Sequence, residues 1–155
     1  MSIGDEKSSI ISLPEFVHPI DQIAIGEDHA LALLNDGTVI CWGNNDEGQI
    51  EIPELKEKVV DIAAGNKHSL LLLESGEILA IGDNYYEQCD IPTQLSRITS
   101  VVAADNYSCA VGSNGKAYFW GNTGSIQMEK NMVLSNIKGI TCGINQAIIV
   151  YQDGN

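Results

Sequence analysis

His29 and His68 are the first residues to weigh for chemistry, because imidazole is the side chain that ordinarily exchanges protons near neutral pH. A hydrolytic role would need a nucleophile, a base and an orienting acid brought together. Ser69 and Ser108 show no base or acid partner at a triad-like spacing. The positions that repeat the histidines further along the chain hold Tyr107 and Gln146. All four side chains form hydrogen bonds, so His29 and His68 are read as structural groups that brace the turn before an apolar run. Cys41, Cys89, Cys109 and Cys142 form no Cys-x-x-Cys pair and are read as buried thiols rather than disulfides or metal ligands. The carboxylates of Asp46, Glu47 and Asp83 are read as solvated acidic surface rather than a cation site. Glycines abound, yet none stands in a phosphate-binding Gly-x-Gly-x-x-Gly or Walker arrangement. No catalytic, metal or cofactor site is expected.

Composition limits the remaining classes. Of 155 residues 44% are hydrophobic, enough to bury a core, and 8 basic against 21 acidic residues give a net charge of −13. Nucleic-acid affinity comes largely from Lys and Arg displacing counterions, so no DNA or RNA partner is expected, nor an anionic membrane. The first residues include Asp5 and Glu6 and lack a long apolar run, so no secretion signal is read. No segment has the length of a membrane span. The expectation is a soluble, cytoplasmic protein.

The histidines sit inside a repeat. Ile62-Ala63-Ala64-Gly65, His68, the run Leu70 to Leu73, Gly76 and Gly82-Asp83-Asn84 return when the sequence is shifted by 39 residues. The shift backward gives Ile23-Ala24, Gly26, His29, Leu31 to Leu34, Gly37 and Trp42-Gly43-Asn44. The shift forward gives Ala103-Ala104, Ser108, Gly115 and Trp120-Gly121-Asn122, and a further one reaches Gly143 and Asp153-Gly154. A fixed period means stacked copies of one unit. The units run 22–60, 61–99, 100–138 and 139–155, within a repeat domain of 9–155 that comes after a flexible 1–8. Leu13-Pro14-Glu15 shares its phase with Ile52-Pro53-Glu54 and Ile91-Pro92-Thr93, so 10–13 reads as a strand completing a blade.

Each unit reads as four short strands, A to D. Strand A covers Gln22 to Ile25, Asp61 to Ala64, Ser100 to Ala103 and Gly139 to Cys142; its small residues Ala24, Ala63, Ala64 and Ala103 suit a crowded central channel. Strand B is an apolar run: Ala30 to Leu34, Ser69 to Leu73, Ser108 to Gly112 and Ala147 to Tyr151. Tight turns ending in Gly37, Gly76, Gly115 and Gly154 lead to strand C, at Val39 to Trp42, Ile78 to Ile81 and Ala117 to Trp120. Four antiparallel strands in one repeat describe a β-propeller blade. The fold class is all-β: a partial propeller of four-stranded antiparallel sheets, with three full blades and a shared or incomplete one.

The order Ile-Ala-x-Gly-x-x-His, apolar run, Asp-Gly-x-Val, Cys-Trp-Gly-x-Asn, Gly-Gln resembles the regulator of chromosome condensation repeat family, in about 3.75 units. The third unit departs from it at Ala104 and Tyr107, the fourth at Gln146, and Ile81 replaces Trp in the second. The resemblance implies a propeller whose faces bind other proteins. Known uses in the family are nucleotide exchange on a Ran-type GTPase, docking on chromatin and, in a related bacterial propeller, inhibition of a β-lactamase.

The recurring residues are assigned to structure: Gly26, Gly43, Gly65, Gly82 and Gly121 to turns, and Trp42 and Trp120 to packing between blades. A partner surface is sought where the units differ. Strand alternation puts the A–B turns and C–D loops on one face, which carries Glu27, Asp28, Asp46 and Glu47 from the first unit. Lys67, Asp83, Tyr85, Tyr86 and Glu87 come from the second unit and Asp105 from the third. Tyrosines within an acidic rim suit a protein partner with a basic surface. The expected function is a non-enzymatic interaction module; the alternative, by resemblance, is a regulator of a small GTPase or another enzyme. A homodimer pairing head to tail into one ring is the preferred closure, ahead of a four-bladed ring or an open arc.

Overall fold

The computed structural model describes residues 18–126, 128–129, 131–143 and 146–154. The expectations for 1–8 and for a strand at 10–13 lie outside them. Among the described residues there is no α-helix, only a 3-10 turn at Thr123–Ile126. The first blade is β1 (Ile20–Ile25), β2 (His29–Leu34) and β3 (Val39–Gly43); the second is β4 (Val59–Ala64), β5 (His68–Leu73) and β6 (Ile78–Gly82). The third is β7 (Ile98–Ala104), β8 (Tyr107–Gly112), β9 (Ala117–Gly121) and β10 (Val133–Leu134), and the last is β11 (Ile137–Gly143) with β12 (Gln146–Tyr151). Every sheet is an antiparallel meander in chain order. The B–C turns place Gly37, Gly76 and Gly115 at positive φ, as their sequence signature requires.

The first two blades have three strands rather than four. After Gly48 the chain curls instead of extending, because the Glu51 amide donates to Gly48 O and the Ile52 amide to Ile50 O, and Pro53 has no N–H to give. Glu87 to Pro92 repeat this curl, with Asp90 donating to Glu87 O and Ile91 to Cys89 O. In the third blade Asn131 replaces the proline, and Val133 and Leu134 pair with Tyr118 and Ala117.

The core is a set of clusters between blades. Leu31 and Leu33 of β2 pack on Val59, Ile62 and Leu71 of the second blade. Leu70 and Leu72 pack on Ile98, Val101 and Trp120 of the third. Cys109 and Phe119 pack on Ile137, with Ile140 and Ile149 beside them. Alternation explains this: residues 31 and 33 of β2 face forward along the array, and the intervening residues face back. The inner strands stack in turn, β1 on β4, β4 on β7 and β7 on β11.

Candidate interaction face

The A–B turns and C–D loops are tied together at one end of the blades. The amides of Asn44, Asp83 and Asn122, each opening a C–D loop, donate to the carbonyls of Asp28, Lys67 and Asn106, all at 2.8 Å. Neighbouring A–B turns are linked as well, Glu27 N to Asn66 O at 3.2 Å and Asn66 N to Asp105 O at 2.9 Å. The inner strand ends enclose an open cavity of about 380 Å³ lined by Ile25, Glu27, Ala64, Asn66, Ala103, Asp105 and Cys142. Ala64 and Ala103 thus line the channel as their size suggests and, like Ala24 and Ala63, also pack against the cores between blades.

The C–D loops of the first two blades share one scaffold. A buried glutamine organises each: Gln49 Nε2 donates to Asn44 Oδ1 and its Oε1 accepts from Glu47 N, while Gln88 does the same with Asp83 and Tyr86. The tips that this scaffold raises into solvent are Asp46 and Glu47 in one loop and Tyr85 and Tyr86 in the other. Tyr85 is 82% exposed, and the two rings meet edge to face with centroids 4.9 Å apart. Glu27, Asp28, Lys67 and Glu87 are exposed on the same end. Asp83 and Asp105 play a different part. Asp83 accepts the Tyr85 amide and the Gln88 side chain, and Asp105 accepts Asn66 Nδ2 at 2.7 Å, so both hold the face together from within.

His29 and His68 pack beneath the glycine of their own turns, and their hydrogen bonds join one blade to the next. His29 Nε2 lies 2.9 Å from Ser69 Oγ, and His68 Nε2 2.9 Å from Ser108 Oγ. Serines that lack an evident partner in the sequence therefore have one, and the sequence signal was the serine at the period plus one residue. The pair is not a nucleophile and its base. Ser69 Oγ donates to Gln49 O and Ser108 Oγ to Gln88 O, so each hydroxyl must accept from the imidazole, whose Nε2 then carries the proton. That tautomer leaves Nδ1 as the unpartnered atom, and both Nδ1 atoms are buried without a hydrogen bond. Burial lowers the pKa of His29 and, with the neighbouring His29 adding to the effect, lowers that of His68 to about 4. At the third junction Tyr107 replaces the histidine, Ala147 replaces the serine, and the phenol donates to Gly143 O and Gln146 O at 3.1 and 3.2 Å. Gln146, the last residue of this phase, is exposed.

Gly26 and Gly65 are not held in place by an unusual φ. A Cβ on Gly65 would stand 2.1 Å from His68 Cε1, and one on Gly26 2.3 Å from His29 Cε1. The residue preceding Tyr107 at that spacing is Ala104, where no imidazole needs the space. Gly82 does need its conformation, at φ 106°, with a Cβ position 2.4 Å from Lys67 O. Trp120 packs between blades and its Nε1 donates to Gln88 O at 2.8 Å. Trp42 is partly exposed, since no described blade stands before it. The four cysteines are free thiols, and burial pushes Cys41 and Cys89 up to about 12.

The repeat family described as Regulator of chromosome condensation (RCC1) repeat matches residues 20–49 and 59–88. Both stretches are similar to RCC1 repeats. Each match runs from β1 or β4 through the C–D loop to the buried glutamine that organises it. No curated protein matches the chain. Among solved structures, yeast RCC1 (Prp20) bound to Kap60 is similar at a TM-score of 0.73 and 21% identity, over 91% of this chain and 44% of that one. Prp20p from Saccharomyces cerevisiae gives 0.73 and 21% over 90% and 45%, and human WBSCR16 gives 0.71 and 21% over 86% and 45%. This chain spans less than half the length of each, and the likeness carries the RCC1-type propeller fold.

Proposed function

We propose that the chain is a non-enzymatic protein-binding module whose partner, basic in surface, docks on the end formed by the A–B turns and C–D loops. The observation that carries this reading is the exposed Tyr85–Tyr86 pair raised on a scaffold of fixed hydrogen bonds. Aromatic rings held in place lose little entropy on binding and serve as anchors. Around them Asp46, Glu47 and Glu87 supply negative charge that steers a basic partner. The yeast relative is described with binding properties to Gsp1p and histones, the latter a basic ligand. The second reading, regulation of a small GTPase, draws on that relative's binding of Gsp1p.

Core histones serve as the basic protein probe. Titration at several salt concentrations is expected to show binding that weakens about tenfold in a Tyr85→Ser, Tyr86→Ser double variant, the loss of an anchor pair. Glu74→Gln with Glu77→Gln, on the exposed B–C turn at the opposite end, removes charge without touching the face and should leave binding unchanged. A loss in the glutamine variant with none in the serine variant would mean that net charge alone attracts the probe, and the reading would fall. Acceleration of nucleotide release from a Ran-type GTPase would favour the second reading.

A further inference from the structure

The two ends of the arc expose opposite halves of a contact that the chain makes three times within itself. On the first blade Ile23 is 54% and Ile25 75% exposed, whereas Ile62, at the position of Ile23, is 2% exposed. Strand pairing shows that these positions face backward along the array. Ile23 stands opposite Ala32 as Ile62 stands opposite Leu71, and Leu71 packs against the first blade. On the last blade Ile148 is 59% and Val150 42% exposed. Both face forward, for Ile148 stands opposite Thr141 as Leu31 stands opposite Ala24. Leu31 and Leu33 in the first blade, and Leu70 and Leu72 in the second, are the residues that close over the next blade.

We propose that the occupant of the first blade's backward face is a second copy of this chain, docked through its last blade, with Ile148 and Val150 seated against Ile20 and Ile23. The inference is independent of the acidic face, which lies on the loops. Two complementarities select this occupant. The apolar one is that a junction of this kind would repeat the forward-on-backward contact of β2 on β4 and β5 on β7. The polar one lies at the A–B turns. A histidine is used where the next blade offers Ser69 or Ser108, and a longer-reaching donor, Tyr107, where it offers Ala147. The first blade offers Ala30 at this position. The residue that would face it is Gln146, an exposed amide with two N–H donors suited to the carbonyls of Gly26 and His29, the counterparts of those that Tyr107 reaches. Two four-unit chains make an eight-bladed ring, a known propeller size, and a head-to-tail contact used twice about a twofold axis closes on itself.

Light scattering during size exclusion at micromolar concentration is expected to give twice the chain mass of 16.7 kDa. Ile23→Asp and Ile148→Asp alter side chains already exposed in the single chain, so each should return the monomer mass with an unchanged circular dichroism spectrum. Mixing the two variants should regain the doubled mass, because one supplies an intact last blade and the other an intact first blade. Gln146→Ala should weaken the pair several-fold in dissociation constant. A wild-type monomer overturns the proposal, and so does a pair that survives either charge substitution. A pair sensitive to Ile23→Asp but not to Ile148→Asp would mean that the first face joins its own copy, and it overturns the head-to-tail arrangement. Mass that grows without limit with concentration overturns the closed pair.

Discussion

The second and fourth units carry the same phases of the same repeat, yet they hold their residues in opposite environments. Leu70 and Leu72 are sealed under the third blade, while Ile148 and Val150, at the same positions, face solvent. His68 is buried against Ser108, while Gln146, its counterpart, is exposed. Neither difference comes from the strands themselves, which pair in the same register with the same bulge near the start of the inner strand. The cause is the neighbouring blade, present beyond the second unit and lacking beyond the fourth among the described residues. A blade's own sheet leaves one face uncovered, and stability is gained at the junction, as nearest-neighbour terms in a stacked array.

The largest test of that contrast is to cut the same side chain at an inner and an outer position, under conditions where the chain is monomeric. Trp120→Ala removes a buried indole and strands Gln88 O with only Ser108 to satisfy it; about 3–5 kcal/mol should be lost in urea unfolding. Trp42→Ala at the open face should cost a small fraction of that. Similar losses at both positions would show that the strands, not the junctions, carry the stability.

Protonation probes the same difference. His68 titrates near 6.5 in the unfolded chain and near 4 in the folded one, because burial disfavours the imidazolium. Between those values the unfolded state takes up a proton that the folded state refuses. The stabilising effect of a neutral His68 is therefore complete above pH 6.5 and is lost as the pH falls toward 4, by about 3 kcal/mol in all. His68→Gln, which copies the fourth unit, should flatten that limb of the stability–pH curve. An unchanged curve would place the titration elsewhere.

Space beneath the turn glycine gives a third comparison. A Cβ on Gly65 would strike the His68 ring, whereas one on Gly143 would meet nothing nearer than Gln146 Cγ at 3.4 Å. Gly65→Ala should cost about 1–3 kcal/mol, typical of overpacking, and Gly143→Ala much less. Thermal melts of the two single variants decide it.

Much of this architecture is legible in the sequence, because a repeat supplies its own internal comparison. The eleven strands of the A, B and C phases arise from apolar runs recurring between Gly-marked turns, and each forms within a residue or two of its expected place. The missing D strands in the first two blades are less legible. The buried Gln49 and Gln88 curl the chain through contacts with the preceding loop, and a glutamine in a polar stretch gives no sign that it will be buried. The His–Ser pairs escape a reading confined to one unit, since each bond spans 40 residues and belongs to two blades. The loop carboxylates look alike in sequence. Asp83 turns inward because it stands at the scaffold position that Asn44 fills in the first unit, whereas Asp46 stands at the tip.

The smallest of these effects tests whether the junction types are interchangeable. Ser108→Ala alone leaves His68 Nε2–H without its buried acceptor, a loss of about 1–3 kcal/mol. His68→Tyr alone forces a phenol toward a serine already bonded to Gln88 O. Together the two substitutions rebuild the third junction at the second, where a Tyr107-like phenol above an Ala147-like methyl can reach the carbonyls of the next A–B turn, here Ala104 O and Tyr107 O. The double variant should therefore be more stable than the sum of the single losses by about 1 kcal/mol, the scale of coupling between residues in contact. Additive losses would mean that Tyr107 and Ala147 work only with the two-stranded blade they face, and that each junction of the array is built for its own place.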